Sequence, residues 1–289
     1  MRPPPQRSQL RRLLEVRGVI GGHRGVAYEV RLRAADGVRL AASWLPAADP
    51  AAPGVVLAHG FAAHRRKPAY AALADVLAAR GHHVLSLDLR GHGRSGGVTT
   101  FGDREALDVA AGVRWLRARA VEQVHVVGVS MGASAVLHAA ATAPDVEAVV
   151  VVSSPAWVGR FETEAMLRLD RIWRGAWSRP GFTALTGVRM VRPRAWRRFE
   201  DPEALARRIG VPLLVVHGDD DEYFDPAHAR ALVAAAGGPS TYWREPRFGH
   251  AEDGLDRGFG TRLADALHEV ARTGRFPEHG AAVGSAAAS

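Results

Sequence analysis

Short runs of almost unbroken apolar residues recur along this chain and constrain its fold more than any other feature. They are Val55-Val56-Leu57-Ala58, Val84-Leu85-Ser86-Leu87, Val124 to Val129, Ala148 to Val152 and Val211 to Val216. Each is shorter than an ordinary helix, rich in β-branched residues, and without the polar alternation of a strand wetted on one face. Strands of this kind are covered on both sides, as in a parallel sheet. Helical patterns separate them, at roughly 68–80, 103–119, 131–142 and 227–236, and a last strand near 240–244 leads to a helix over 255–273. Ahead of all these, residues 26–33 and 38–45 read as two strands joined at Asp36-Gly37, a hairpin signal. A hairpin followed by repeated β-α units predicts an α/β fold with a mostly parallel sheet and helices on both faces.

Composition narrows the function classes. A chain of 289 residues that is 47% hydrophobic and 24% charged can bury a full core, which excludes disorder throughout. No apolar run reaches the length of about 18 residues that a membrane helix needs. The absence of cysteine excludes disulfides, a thiol nucleophile and thiolate metal sites. The formal charge of +8 is concentrated in residues 1–33 and 160–208, each net +6, so the remainder is net negative. Lys67 is the only lysine, and an Arg bias without lysine reads as codon composition more than phosphate recognition. No specific nucleic-acid partner is expected.

One segment breaks the alternation. After Ser153-Ser154-Pro155 about fifty residues pass before the next strand, and within them Phe161, Ala165, Leu169, Trp173 and Trp177 recur every four positions. That spacing predicts an amphipathic helix in an insertion between two core strands. Trp157, Trp173, Trp177 and Trp196 all fall in this insertion, and Trp157, Trp173 and Trp177 are the candidate substrate-binding residues. The expected organisation is a basic, Pro-rich arm over 1–24, a core over 25–154 and 209–273, a helical lid over 155–208, and a flexible Gly/Ala/Ser-rich tail over 274–289. Residues 9–20 of the arm suit a short basic amphipathic helix, with weak contact to a membrane surface as its sharper reading. Arg11-Arg12 has no uninterrupted apolar region behind it, so no export signal is read and a cytoplasmic protein is expected.

The sharpest local feature is Gly128-Val129-Ser130-Met131-Gly132, at the junction of an apolar strand and a helix. A serine on so tight a turn takes a strained backbone conformation and needs small neighbours, which Gly128 and Gly132 provide. Ser130 is therefore the candidate nucleophile. It needs a base, and among the thirteen histidines His250 is distinguished by its loop between the last strand and the last helix. The imidazole needs an anion; His217-Gly218-Asp219-Asp220-Asp221 offers three, of which Asp221 is chosen, with Asp220 and Asp219 as runners-up. The oxyanion donors are expected to be the backbone N–H groups of Met131 and, in the loop after the strand at 55–58, of Phe61. His59 reads as a structural hydrogen-bonding residue, and no histidine pair has zinc-site spacing.

These motifs, together with Asp88-Leu89-Arg90-Gly91-His92-Gly93-Arg94-Ser95 after the next core strand, resemble the α/β-hydrolase superfamily over residues 26–273. The resemblance is to its esterase, lipase, lysophospholipase-like and serine aminopeptidase-like members. It implies an α/β-hydrolase fold, a serine hydrolase without cofactor or metal, a lid at the Trp-rich insertion, and a structural role for the Arg90–Ser95 loop. Val129 stands where many relatives have His, and Ala133 where many have Gly. The expected partner is a small-molecule ester or acyl compound, cleaved through an acyl-enzyme. An apolar lid favours an acyl or aryl group, and its Arg excess would attract an anionic ester such as a lysophospholipid. Thioester and amide cleavage use the same constellation, and a non-catalytic ligand-binding homologue is the alternative from another class. A serine at this turn argues against dehalogenase and epoxide hydrolase chemistry, where relatives place Asp. Oligomeric state is not encoded legibly.

Overall fold

The protein is described here from a computed structural model that covers residue 15, residues 21–143 and residues 145–279. Eight strands form one sheet: β1 (Tyr28–Arg33), β2 (Arg39–Leu45), β3 (Gly54–Ala58), β4 (His83–Asp88), β5 (Val124–Val129), β6 (Ala148–Val152), β7 (Leu213–Gly218) and β8 (Ser240–Glu245). Their order across the sheet is β1-β2-β4-β3-β5-β6-β7-β8. β2 runs antiparallel to both neighbours, and every pairing from β4 to β8 is parallel.

The helices are α1 (Pro68–Ala79), α2 (Glu105–Arg117), α3 (Met131–Thr142), α4 (Glu164–Arg174), α5 (Ser178–Thr186), α6 (Pro202–Ala206), α7 (Pro226–Ala235) and α8 (Arg257–Thr273). The two-residue period of the strands sends alternate side chains to opposite faces. Val56, Leu85, Val126, Val149 and Val215 pack with α2, α3, α6 and α7. Val55, Leu57, Val84, Val150 and Val216 pack with α1 and α8 on the other side. The unbroken apolar runs are thus explained by burial on two faces. Among the described residues no helix is long and apolar enough to cross a membrane.

Most expected elements fall within two residues of their places, and the departures have local causes. β7 starts two residues later than expected, because Pro212 has no N–H to give to the ladder. It then runs through His217 and Gly218, which pair with Arg244 and Glu245. The amphipathic helix of the insertion spans only 164–174. Thr163 caps its start by accepting from Met166 N–H, and extended backbone at Gly175 ends it. Trp177 is therefore carried off the stripe predicted from its spacing and is 90% exposed.

The first residues of the stretch expected as a tail over 274–289 are packed at Phe276 and Pro277. Phe276 turns back onto the sheet and is buried, its carbonyl accepts from the Thr241 hydroxyl, and Trp243 donates its indole N–H to the carbonyl of Pro277. Residues 280–289 lie outside the described residues, as does most of the N-terminal arm with its expected helix over 9–20. Within that arm, Arg24 N–H donates to Asp75 of α1, and the buried Glu15 offers its carbonyl to His64 Nε2–H at 2.6 Å.

Candidate active site

β5 ends at Val129 and α3 starts at Met131, so a single residue makes the turn between them. Ser130 takes φ 53° and ψ −114° there, a conformation that side chains other than glycine rarely adopt and that costs on the order of 1–3 kcal/mol. The surroundings hold it. A Cβ on Gly128 would lie 2.3 Å from the carbonyl oxygen of Gly132, and one on Gly132 would lie 2.4 Å from that of Ala58. Ser130 N–H donates to the carbonyl of Val152, so the strained residue is tied into the sheet. Val129 points into the fully buried apolar cluster under α1 and α8, where a histidine would need a partner. Ala133 is buried as well.

The loop after β8 brings His250 to this turn. Ser130 Oγ and His250 Nε2 are 2.9 Å apart, and His250 Nδ1 is 2.9 Å from each oxygen of Asp221. The contacts assign Nδ1–H as donor to the carboxylate and Nε2 as acceptor from the serine hydroxyl. The imidazole ring is held against Tyr223 and Phe224, with centroids 4.3 and 5.4 Å away. Burial pushes the Asp221 carboxyl up, but the bond and charge of His250 and the N–H groups of Tyr223 and Phe224 outweigh it, leaving its pKa below the ordinary value. The other two acids of the turn go elsewhere: Asp219 pairs with Arg244 at 2.6 Å, and Asp220 is exposed.

The loop after β3 closes the opposite side. A Cβ on Gly60 would lie 3.3 Å from Ser130 Cβ. Among the described residues neither Phe61 N–H nor Met131 N–H has a hydrogen-bond acceptor. The Met131 group sits at the start of α3, where the helix dipole also favours negative charge. His59 is fully buried: its Nδ1–H donates to the Gly60 carbonyl at 2.7 Å and its Nε2 accepts from Leu89 N–H. Burial, helped by the neighbouring His92, holds its pKa well below the usual imidazole value, so it is a neutral fixed strut.

The Arg90–Ser95 loop is likewise built of internal bonds. Arg90 is buried between Asp108 and Asp36. Asp88 accepts from Arg65 and from the Arg94 N–H, and Ser95 Oγ accepts from Ala41 N–H.

In front of Ser130 and His250 lies a cavity of about 510 Å³. One wall is a chain of rings in which Trp196, Trp173, Phe101, Phe61 and Phe182 follow one another at centroid distances of 5.1–5.8 Å. The indole N–H groups of this wall already have acceptors, Trp173 on Val191 O and Trp196 on Thr100 O. Trp157 also lines the cavity and donates to Glu203. The indoles therefore offer carbon faces and no donors to a ligand.

Of the three tryptophans picked from sequence, Trp157 and Trp173 line the cavity and Trp177 does not. Trp177 lies beyond the end of α4 and faces solvent. Trp196 takes the place it was assigned. The signal was present, since Trp196 belongs to the same insertion, but a four-residue spacing could not see past the end of a helix. Tyr70, Tyr223 and Phe224 were missed because the contacts of Tyr70 with Gly60 and of the Tyr223 and Phe224 rings with His250 join separate elements of the chain.

The family described as “Serine aminopeptidase, S33” (Hydrolase_4) matches residues 49–181, which hold the β3 loop, the Ser130 turn and α4. Protein ABHD12B of Homo sapiens is 29% identical over 198 residues, or 64% of this chain, and the chain spans about half (50%) of that relative's length. Among solved structures, esterase Pf2001 of Pyrococcus furiosus is similar with a TM-score of 0.67 at 22% identity, over 86% of this chain and 91% of its own. Esterase RhEst1 of Rhodococcus sp. ECU1013 is similar with a TM-score of 0.61 at 22% identity, over 85% and 99% of the two chains.

Proposed function

From the α/β-hydrolase fold and the match to the serine aminopeptidase S33 family over residues 49–181, we propose that this chain is a serine hydrolase cleaving carboxylic esters through Ser130, His250 and Asp221. One observation carries the reading: an unbroken hydrogen-bonded line runs from a strained serine through an imidazole to a buried carboxylate. A serine hydroxyl becomes an effective nucleophile when a base within hydrogen-bond reach removes its proton.

Ser130 Oγ attacks the ester carbonyl while His250 Nε2 takes the proton, and Asp221 stabilises the imidazolium that forms. The carbonyl oxygen becomes an oxyanion held by the N–H groups of Phe61 and Met131. His250 then returns the proton to the departing alcohol, which leaves an acyl-enzyme. Water, deprotonated by the same imidazole, attacks the acyl carbon and frees Ser130.

The aromatic wall supports an ester with an acyl chain or aryl ring on the side of Phe61, Phe101 and Trp173. Charged lining residues include Arg160 and Arg168 but also Asp170, Glu222, Glu252 and Asp253, so the lining gives no case for an anionic substrate. The test is labelling of the purified protein with a fluorophosphonate probe, beside turnover of nitrophenyl esters of increasing chain length. Labelling and turnover that vanish in Ser130→Ala are the expected result. A folded parent that neither labels nor turns over would refute the proposal and favour a ligand-binding role. Faster turnover of the matched thioester or amide would move the substrate class.

A further inference from the structure

Gly60 packs against Ser130, and the three consecutive backbone N–H groups of Gly60, Phe61 and Ala62 are treated differently by their surroundings. Gly60 N–H donates to Tyr70 Oη at 3.1 Å. Ala62 N–H donates to His92 Nε2 at 3.2 Å. Between them, the N–H of Phe61 has no acceptor among the described residues. The two flanking groups are thus consumed and the central one is left over.

The partners come from different parts of the fold. Tyr70 belongs to the first turn of α1 and packs in the apolar cluster shared with α8. His92 comes from the loop after β4 and is fully buried, its ring edge-on to His59 and Phe61 at 5.1 and 5.7 Å. The bond to His92 bears on a strained residue, since Ala62 has φ 55°, in the left-handed region that alanine seldom occupies. His92 can accept at Nε2 because its Nδ1–H is committed to the carbonyl of Arg90 at 3.0 Å. Burial pushes its imidazole down to about 4, so the ring stays neutral and the acceptor persists through the neutral range.

We propose that Tyr70 and His92 are positioning residues for the oxyanion donor, holding the β3 loop from both sides so that Phe61 N–H faces the developing charge. This rests on the reading of Ser130 as nucleophile. A donor that must meet an oxyanion within about 3 Å gains its effect from being fixed beforehand. The Arg90–Ser95 loop then has a catalytic consequence in addition to a structural one, delivered through His92.

The experiment compares Tyr70→Phe, His92→Leu and His92→Gln with the parent on an oxoester and on its thionoester, whose sulfur is a weaker hydrogen-bond acceptor. A trifluoromethyl ketone, which adds to Ser130 as a stable oxyanion, is titrated in parallel. Tyr70→Phe and His92→Leu are expected to lower kcat on the oxoester by roughly 10–100-fold, with KM changed less than about threefold. Ketone affinity and the oxoester-to-thionoester rate ratio should fall by the same factor as kcat. His92→Gln restores an acceptor near Nε2 and should recover much of the loss.

Tyr70→Phe keeps the ring and its packing, so it remains informative if His92→Leu does not fold. Parent-like kcat in Tyr70→Phe overturns the proposal. So does a loss of kcat that leaves the rate ratio and ketone affinity unchanged, because both residues would then only support the fold. A parent whose ester turnover survives Ser130→Ala overturns the serine reading together with this one, and that shows before any of these variants is compared.

Discussion

His250 Nδ1 lies 2.9 Å from both carboxylate oxygens of Asp221, whose side chain is fully shielded from solvent. One of those oxygens also accepts the N–H groups of Tyr223 and Phe224. In Asp221→Asn the amide oxygen would keep the two backbone bonds, turning the NH₂ group toward the imidazole. Nδ1 would have to accept, and the proton would move to Nε2, where it blocks removal of the Ser130 proton. The expected loss in kcat is about 10⁴-fold. Asp219→Asn and Asp220→Asn should stay within about threefold of the parent, because neither carboxylate touches the imidazole. Steady-state kinetics on one nitrophenyl ester measure all three, and a larger loss at Asp219 or Asp220 than at Asp221 would reassign the acid.

The turn that carries Ser130 tolerates no added carbon. In Gly132→Ala the new Cβ would sit 2.4 Å from the backbone oxygen of Ala58, and neither strand nor helix can move aside without breaking its ladder. Destabilisation of about 3 kcal/mol or more is expected, together with loss of fluorophosphonate labelling. Urea denaturation of the labelled and unlabelled protein gives both readings, and parent-like stability would show that the turn is looser than drawn.

The sheet was legible because residues such as Val149, Val150 and Val151 are apolar on both faces, and only a doubly covered strand needs that. The Ser130 turn was legible because its chemistry, its glycines and its strand-to-helix setting lie within five residues. What stayed hidden depends on distance in sequence. Gly60 and Tyr70, or Ala62 and His92, meet through the packing of separate elements, and no local pattern encodes those meetings. Trp177 shows the opposite error: its spacing fitted the helix stripe, but Gly175 ended the helix first.

Acid should weaken the fold through buried histidines. His125 is fully buried, and among the described residues neither of its nitrogens has a hydrogen-bond partner. Burial, with smaller contributions from His268 and Arg117, pushes its imidazole down to about 4. His82 is pushed down to about 3, again chiefly by burial. An unfolded histidine titrates near 6.5, so below that pH the unfolded chain binds protons that the folded chain refuses. Stability is then highest above about 6.5 and falls as pH drops toward 4, with His125 alone accounting for about 3 kcal/mol. His125→Phe should flatten the pH dependence of the urea midpoint between 6.5 and 4. An unchanged slope would assign the acid sensitivity to other groups.

Trp173 and Trp177 lie four residues apart and should behave in opposite ways. Trp173 is 5% exposed, meets Phe101 and Trp196 edge-on, and donates to the carbonyl of Val191. Trp173→Ala opens the cavity wall and leaves that carbonyl without its partner, so a loss of about 3–5 kcal/mol in stability is expected. Its kcat/KM should fall more for long acyl or aryl esters than for acetate, since only the larger groups reach the ring. Trp177 is 90% exposed, and Trp177→Ala should change stability by no more than about 0.5 kcal/mol, with the chain-length profile of the parent. Thermal melts and a nitrophenyl ester series on the two variants decide it: an altered profile in Trp177→Ala would return that residue to the substrate path.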